Sequence, residues 1–248
     1  MTLLAHVSDP HLDTSPERRA RLERVLAAVA GYRGVTGLVL TGDLADHGAD
    51  DEYRELRAVL AASVPDLPTL LVPGNHDDRE VLRRHLPGAP AEGPLDTLLD
   101  VGDVRLVGLD STIPGQDGGG LAASTVAFAR AAVAGAPGRV VLAMHHPAVA
   151  VGHAVVDGYG LADHEDLARV VRPARNVVAC LAGHVHSALA STFAGRPLVC
   201  APGVVSTLRL DDSVEPFADH AAVPGLALHA VHDDGTVTSR FHHLPPER

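Results

Sequence analysis

Five short polar clusters in this sequence carry side chains that bind divalent cations: Asp9-Pro10-His11, Gly42-Asp43, Gly74-Asn75-His76-Asp77, His145-His146 and Gly183-His184-Val185-His186. They offer imidazole nitrogens, carboxylate oxygens and one amide oxygen but no thiolate, a donor set that suits borderline divalent metals. In an extended segment residues i and i+2 face the same way, so Asp9 with His11, and His184 with His186, can each address one crevice. Two adjacent ions would need that spacing. Gly42, Gly74 and Gly183 permit tight turns that push the next side chain forward. Taken singly, each cluster has a plainer explanation: a turn for Asp-x-His or Gly-Asp, an Asn or Asp bonding its own backbone, a satisfied core histidine for His145. Five in succession, each at the end of an apolar run, do not.

Those runs are the elements that must position the clusters. Leu3 to Val7, Gly37 to Leu40, Thr69 to Val72, Val104 to Leu109, Arg139 to Met144 and Val177 to Leu181 are short, rich in Val and Leu, and predict buried strands. Helical spacing predicts helices over Glu17 to Ala30, Asp51 to Ala62, Arg79 to Leu86, Ser124 to Ala134 and Asp163 to Val171, so strand and helix alternate as in a layered α/β domain. In such a sheet the crevice beyond the strands' carboxyl ends is where ligands bind, and clusters distant in sequence converge there. Past Gly183 the runs shorten to Ala188 to Phe193, Pro197 to Ala201, Leu226 to Val231 and Thr236 to Phe241. The last two flank an Asp234-Gly235 hairpin signal, and this C-terminal third is expected to complete a second sheet. Acids at Asp50 to Glu52 and at Asp163, Glu165 and Asp166 suit helix N-termini. Ile113 to Gly120 and Asp211 to Pro224 are expected to be surface loops, and Ala148 to Leu161 a loop that covers the crevice or meets a second subunit in a homodimer. With no repeat or linker, residues 1–248 are expected to form one domain.

Composition narrows the function. The formal charge is -11 and there is no Lys, which argues against a nucleic-acid polymer as partner, since duplex binding draws on clustered cations. No G-x-G-x-x-G follows the first strand, so a dinucleotide-binding reading fails. No secretion signal is visible, and no apolar run approaches the roughly 20 residues of a membrane-spanning helix. Cys180 and Cys200 lie in apolar runs and are expected to be buried free thiols, which with the missing leader implies a cytoplasmic location.

On Thr41-Gly42-Asp43-Leu44-Ala45-Asp46, Pro73-Gly74-Asn75-His76-Asp77-Asp78-Arg79 and His145-His146-Pro147, the chain resembles the calcineurin-like metallophosphoesterases. Within them it is most similar to class III cyclic nucleotide phosphodiesterases and related glycerophosphodiesterases, over roughly Leu3 to Leu210. The resemblance implies a four-layer α/β/β/α sandwich with two packed mixed sheets. It also implies two divalent ions (Mn, Fe, Zn or Co), one on Asp9, His11 and His186 and one on Asn75, His145 and His184, bridged by Asp43. His76 corresponds to the family's histidine beside the leaving group, with Asp46 and Asp77 orienting it and His146 behind the ligands. The chain departs from the family at Thr125 and Phe128, where Gln and Trp are frequent, and at Asp46, where purple acid phosphatases carry a metal-binding Tyr.

A water shared by two cations loses its proton near neutral pH, so the expected reaction is attack of a metal-bridging hydroxide on a phosphodiester. Two divalent ions, the Asp9 and Asp43 carboxylates, one hydroxide and a diester monoanion balance to zero, whereas a monoester dianion leaves one negative charge. The substrate expected first is therefore a small diester, and the resemblance implies a 3',5'-cyclic nucleotide such as cAMP. Glycerophosphodiesters and 2',3'-cyclic nucleotides are the alternatives within enzymes. A non-catalytic binding module that keeps the fold is the alternative outside them, and the full ligand set argues against it.

Overall fold

The computed structural model describes residues 1–162, 164–211 and 213–246 of the chain. Its first half runs β1 (Thr2–Val7), α1 (Pro16–Gly31), β2 (Val35–Thr41), α2 (Asp50–Ser63), β3 (Thr69–Val72), α3 (Arg79–Arg83), β4 (Thr97–Val101) and β5 (Val104–Leu109). It continues with α4 (Ala123–Ala134), β6 (Arg139–Met144), α5 (Ala154–Asp157), α6 (Glu165–Val171) and β7 (Val177–Ala182). The rest is strand: β8 (Leu189–Phe193), β9 (Arg196–Cys200), β10 (Thr207–Leu208), β11 (Ala218–Asp219), β12 (Gly225–Val231) and β13 (Val237–His243). Local chemistry sets the helix starts. Pro16 opens α1 behind Ser15, whose Oγ accepts from Arg18 N. At α2 the cap position is Ala49, whose N–H Glu52 accepts, and the acids Asp50, Asp51 and Glu52 all lie in the first turn, where the helix N-terminus favours them. The corresponding expectation at Asp163 lies outside the described residues.

Two mixed sheets carry the fold. The first has the order β13-β12-β1-β2-β3 and the second β4-β5-β6-β7-β9-β8. Parallel pairing joins β1 to β2 and β2 to β3 in one, and β5, β6, β7 and β9 in the other. Side-chain alternation builds the layers. Leu3, Ala5 and Val7 of β1 pack with Leu22, Leu26 and Leu56 of α1 and α2, whereas Leu4 joins Val39, Leu106, Val141 and Leu181 between the sheets. On the far side, Leu142 and Met144 of β6 meet Ala129, Val133 and Leu167 of α4 and α6. Three apolar cores thus separate four layers, α/β/β/α, among the described residues.

The C-terminal third divides rather than completing one sheet. β8 and β9 close the second sheet, but β12 pairs antiparallel with β1 and, with β13, extends the first. Strand β4 and helix α5 occupy stretches where no element was expected, and the Asp211 to Pro224 segment includes β11, which pairs with β10. Cys180 and Cys200 are buried free thiols. Among the described residues no helix is long and apolar enough to cross a membrane.

Candidate metal centre

Every expected ligand follows a strand. Asp9 and His11 follow β1, Asp43 follows β2, Asn75 follows β3, His145 follows β6, and His184 and His186 follow β7. The chain bends sharply there: Asp9 (φ 55°), His11 (44°), Asp43 (47°), His184 (68°) and His186 (48°) all occupy the left-handed region. Non-glycine residues rarely adopt it, and holding each costs about 1–3 kcal/mol that the surroundings must offset. Gly42, at φ +88°, precedes Asp43; a Cβ on it would lie 2.3 Å from His145 Nδ1. Only glycine lets the His145 ring lie against that peptide.

The side chains gather into two adjoining groups. In the first, Asp9, His11, Asp43 and His186 each place a donor atom within 4.8 Å of the others. His11 Nε2 lies 3.3 Å from His186 Nε2 and 3.2 Å from Asp43 Oδ2. In the second, Asn75 Oδ1 lies 3.0 Å from His145 Nε2 and 3.1 Å from His184 Nδ1. Asp43 stands between them, with Oδ1 3.5 Å from His145 Nε2. Its two oxygens therefore face different groups, the disposition of a bridging ligand.

A second row holds the rings. His11 Nδ1 donates to Asp46 Oδ1 (2.9 Å), His145 Nδ1 donates to the Thr41 carbonyl (2.8 Å), and His186 Nδ1 meets Ser206 Oγ (2.8 Å). The bonds to Asp46 and to the Thr41 carbonyl orient the His11 and His145 rings with Nε2 toward the space a cation would fill, and Ser206 holds the His186 ring in place beside them. Asp46 also accepts from Arg18 at 2.8 Å, and these partners, His11 foremost, hold its carboxyl well below the usual range.

The residues fit a pair of divalent cations. Asp9 Oδ2 is buried without a hydrogen-bond partner, an arrangement that costs free energy unless something else satisfies the oxygen. Burial opposes charge on His11 and His145, yet the Asp43 carboxylate beside them overrides it and raises them to about 10 and about 9. The carboxylates draw positive charge into this space, and the nitrogen and oxygen donors match borderline metals.

The remaining site residues divide. His76 lies beside the first group, its ring centroid 4.6 Å from that of His11, with a side chain 42% exposed and Nδ1 donating to the Asp46 backbone carbonyl at 2.8 Å. Asp46 thus reaches His76 through its main chain; its carboxylate serves His11. Asp77 does not touch the His76 ring. Its carboxylate accepts from Leu44 N, Ala45 N, Gly74 N and Tyr53 OH, at 2.8–3.1 Å, and so ties the Asp43 loop to the Asn75 loop. Burial, then the charge of Asp43, pushes its pKa up to about 6. The correction has a simple cause: four donors converge on the carboxylate and leave none of it for the imidazole. His146 is buried with Nδ1 on Ser111 Oγ (2.9 Å) and Nε2 on the Asp117 carbonyl (3.1 Å), so both nitrogens are occupied behind His145 and His184. Burial, then the neighbouring His145, lowers it to about 3.

Sequence reasoning missed Arg18, Tyr53, Ser111 and Ser206. Ser206 alone had a local signal, since Gly203-Val204-Val205-Ser206 follows β9 as the other clusters follow their strands. Above the ligands lies a cavity of about 530 Å³ whose wall includes Val155, Tyr159, Leu208 and Phe217.

Residues 2–188 match the family model for calcineurin-like phosphoesterase. The chain is 34% identical over 247 residues to a probable cyclic nucleotide phosphodiesterase of Rhodococcus erythropolis, covering 95% of this chain and 82% of that one. It is 33% identical to a cAMP/cGMP dual specificity phosphodiesterase of Mycobacterium tuberculosis, with 96% and 78% covered. A glycerophosphodiester phosphodiesterase of Enterobacter lignolyticus is 29% identical, with 88% and 83% covered. Among solved structures, a dimetal phosphatase from Danio rerio has the same fold, with a TM-score of 0.71 at 15% identity over 92% of each chain. A family match over most of the sequence, on a two-sheet sandwich whose strand ends gather side chains able to hold metal ions, places the chain in the calcineurin-like phosphoesterase family.

Proposed function

We propose that this chain hydrolyses a small phosphodiester, with a 3',5'-cyclic nucleotide such as cAMP as the preferred substrate. The observation that carries the reading is Asp43, one carboxylate turned toward two cation-binding groups on the floor of a single cavity. Two divalent ions there, Mn, Fe, Zn or Co, supply Lewis acidity and a water of lowered pKa. Asp9, His11, Asp43 and His186 would hold one, and Asn75, His145 and His184, with Asp43, the other.

The chain's own groups do the rest. His76 is held in one orientation by its bond to Asp46 O, and its Nε2, when protonated, donates to the departing alkoxide oxygen. Arg18 lines the cavity but is paired with Asp46 and Asp13, so it does not offer the free cation that a monoester dianion would favour. The apolar wall of Val155, Tyr159, Leu208 and Phe217 suits the organic part of a diester, and the Tyr159 and Phe217 rings in it suit a nucleobase. The named activities of the relatives support the same class, with glycerophosphodiesters as the second reading. The two buried free thiols favour a reducing cytoplasm.

The deciding experiment assays the chelator-stripped chain, reconstituted with each ion in turn, on cAMP, glycerophosphoethanolamine, bis-p-nitrophenyl phosphate and p-nitrophenyl phosphate. The expected result is turnover of diesters, cAMP foremost, well above the monoester; a large monoester preference sinks the reading. In the same assay His76→Ala is expected to lower kcat by about 10²–10⁴-fold, the range of a lost general acid, while metal content stays at the wild-type level.

A further inference from the structure

Between the two sheets, in otherwise apolar surroundings, runs a chain of polar side chains that the reaction does not use. His6 on β1, Thr41 on β2 and His229 on β12 are buried, and Ser239 on β13 lies half-buried at the far end. They share the inner face of the first sheet with Leu4, Val39, Val231, Val237 and Phe241, as the two-residue period requires. His229 Nδ1 lies 2.8 Å from Ser239 Oγ, His229 Nε2 lies 3.1 Å from His6 Nδ1, and His6 Nε2 lies 2.8 Å from Thr41 Oγ1. The Thr41 hydroxyl donates to Ser8 Oγ at 2.8 Å, and Ser8 Oγ donates back to the Thr41 carbonyl at 3.1 Å. That carbonyl is the one that accepts His145 Nδ1–H.

The protons can be placed. Because the Thr41 hydroxyl hydrogen is spent on Ser8, His6 Nε2 must donate to Thr41 Oγ1, and His6 Nδ1 then accepts from His229 Nε2–H. His229 Nδ1 in turn accepts from Ser239 O–H. Burial, the largest influence on both rings, favours this neutral arrangement. Each ring nitrogen is satisfied, every bond is directed the same way, and the series ends on the peptide that orients His145. A polar network in an apolar interface is costly unless complete, and this one is complete. Its two outer members, His229 and Ser239, lie beyond residues 2–188 matched by the family model.

We propose that His6 and His229 are positioning residues of the metal centre: with Ser239 they pin Thr41, and through its carbonyl they hold the His145 ring at the angle its ion requires. The C-terminal hairpin β12–β13 is in this way part of the site's support. The inference rests on the metal-centre reading above.

The test is titration of the full-length, chelator-stripped chain with Mn²⁺ alone, resolving two dissociation constants, with circular dichroism as a check on folding. His6→Leu is expected to weaken one of the two constants by about tenfold, as loss of support behind a ligand does, and to leave the other within about twofold. His6→Gln, which keeps an N–H donor for Thr41, should return the affected constant to within about threefold of wild type. Should His6→Leu fail to fold, His229→Leu and Ser239→Ala, farther along the chain, carry the same selective readout with smaller losses. A folded variant set that binds both ions as wild type does, or in which the Leu and Gln forms weaken both ions equally, overturns the proposal. A wild-type chain that takes up no Mn²⁺ overturns the metal reading itself, and the proposal with it.

Discussion

Asp43→Ala should lower kcat/KM for bis-p-nitrophenyl phosphate by at least about 10³-fold, the scale of losing a group that stabilises charge at the reacting centre. Asp43 contributes three things at once. It lies 3.2 Å from His11 Nε2 and 3.5 Å from His145 Nε2, it carries the charge that draws cations to both groups, and its Oδ1 accepts the His76 backbone N–H at 3.0 Å. Although burial disfavours a charge on it, the His145 and His11 rings keep its carboxyl well below the usual range, so it is ionised throughout the neutral region. Asp43→Asn separates these contributions, because the amide oxygen can still accept from His76 N while the charge is gone. Kinetics and metal analysis on both variants check the expectation. Wild-type rates in Asp43→Ala would end the assignment of this residue.

Gly74→Ala should be nearly as damaging although it removes no functional group. A Cβ at this position would fall 2.1 Å from Asp43 N and 2.2 Å from Asp43 Oδ1, and a backbone atom cannot swing aside as a long side chain can. The Asn75 loop and the Asp43 loop must then separate, breaking the bonds from Leu44 N to Asp77 Oδ2 (3.1 Å) and from Ala45 N to Asp77 Oδ1 (3.0 Å) that join them. Overpacking of this kind costs about 1–3 kcal/mol of stability. Because Asn75 and Asp43 sit on the two displaced segments, the expected loss in kcat/KM is about 10²-fold, as small displacements of positioned groups produce. Thermal unfolding and bis-p-nitrophenyl phosphate kinetics test both parts; unchanged activity would show that the loops give way without moving the ligands.

The candidate site was legible because each candidate ligand sits shortly after a strand whose apolar run stands out, as Val35–Thr41 does before Asp43 and Arg139–Met144 before His145. Chemistry and local pattern coincide there. The roles of Asp46 and Asp77 were harder to read, since their partners come from elsewhere: Tyr53 reaches Asp77 from α2, and Arg18 reaches Asp46 from α1. Strand β4 escaped notice because it is an edge strand with alternating exposure, and Leu98 is 46% exposed. Assignment of β12 to the first sheet depends on pairs such as Leu3 with Ala230, a contact so distant along the chain that no local period encodes it. His6 and His229 have no sequence signature either, because each reads as an isolated histidine in an apolar strand.

The seven candidate ligands are shared between the sheets: Asp9, His11, Asp43 and Asn75 extend from β1, β2 and β3, while His145, His184 and His186 extend from β6 and β7. Either cation would therefore draw on both halves of the sandwich and clasp them at one rim, so neither sheet could peel away without releasing it. Metal supply would then set the mechanical coherence of the molecule together with its activity, and a cell short of the ion would hold a looser protein as well as an idle one.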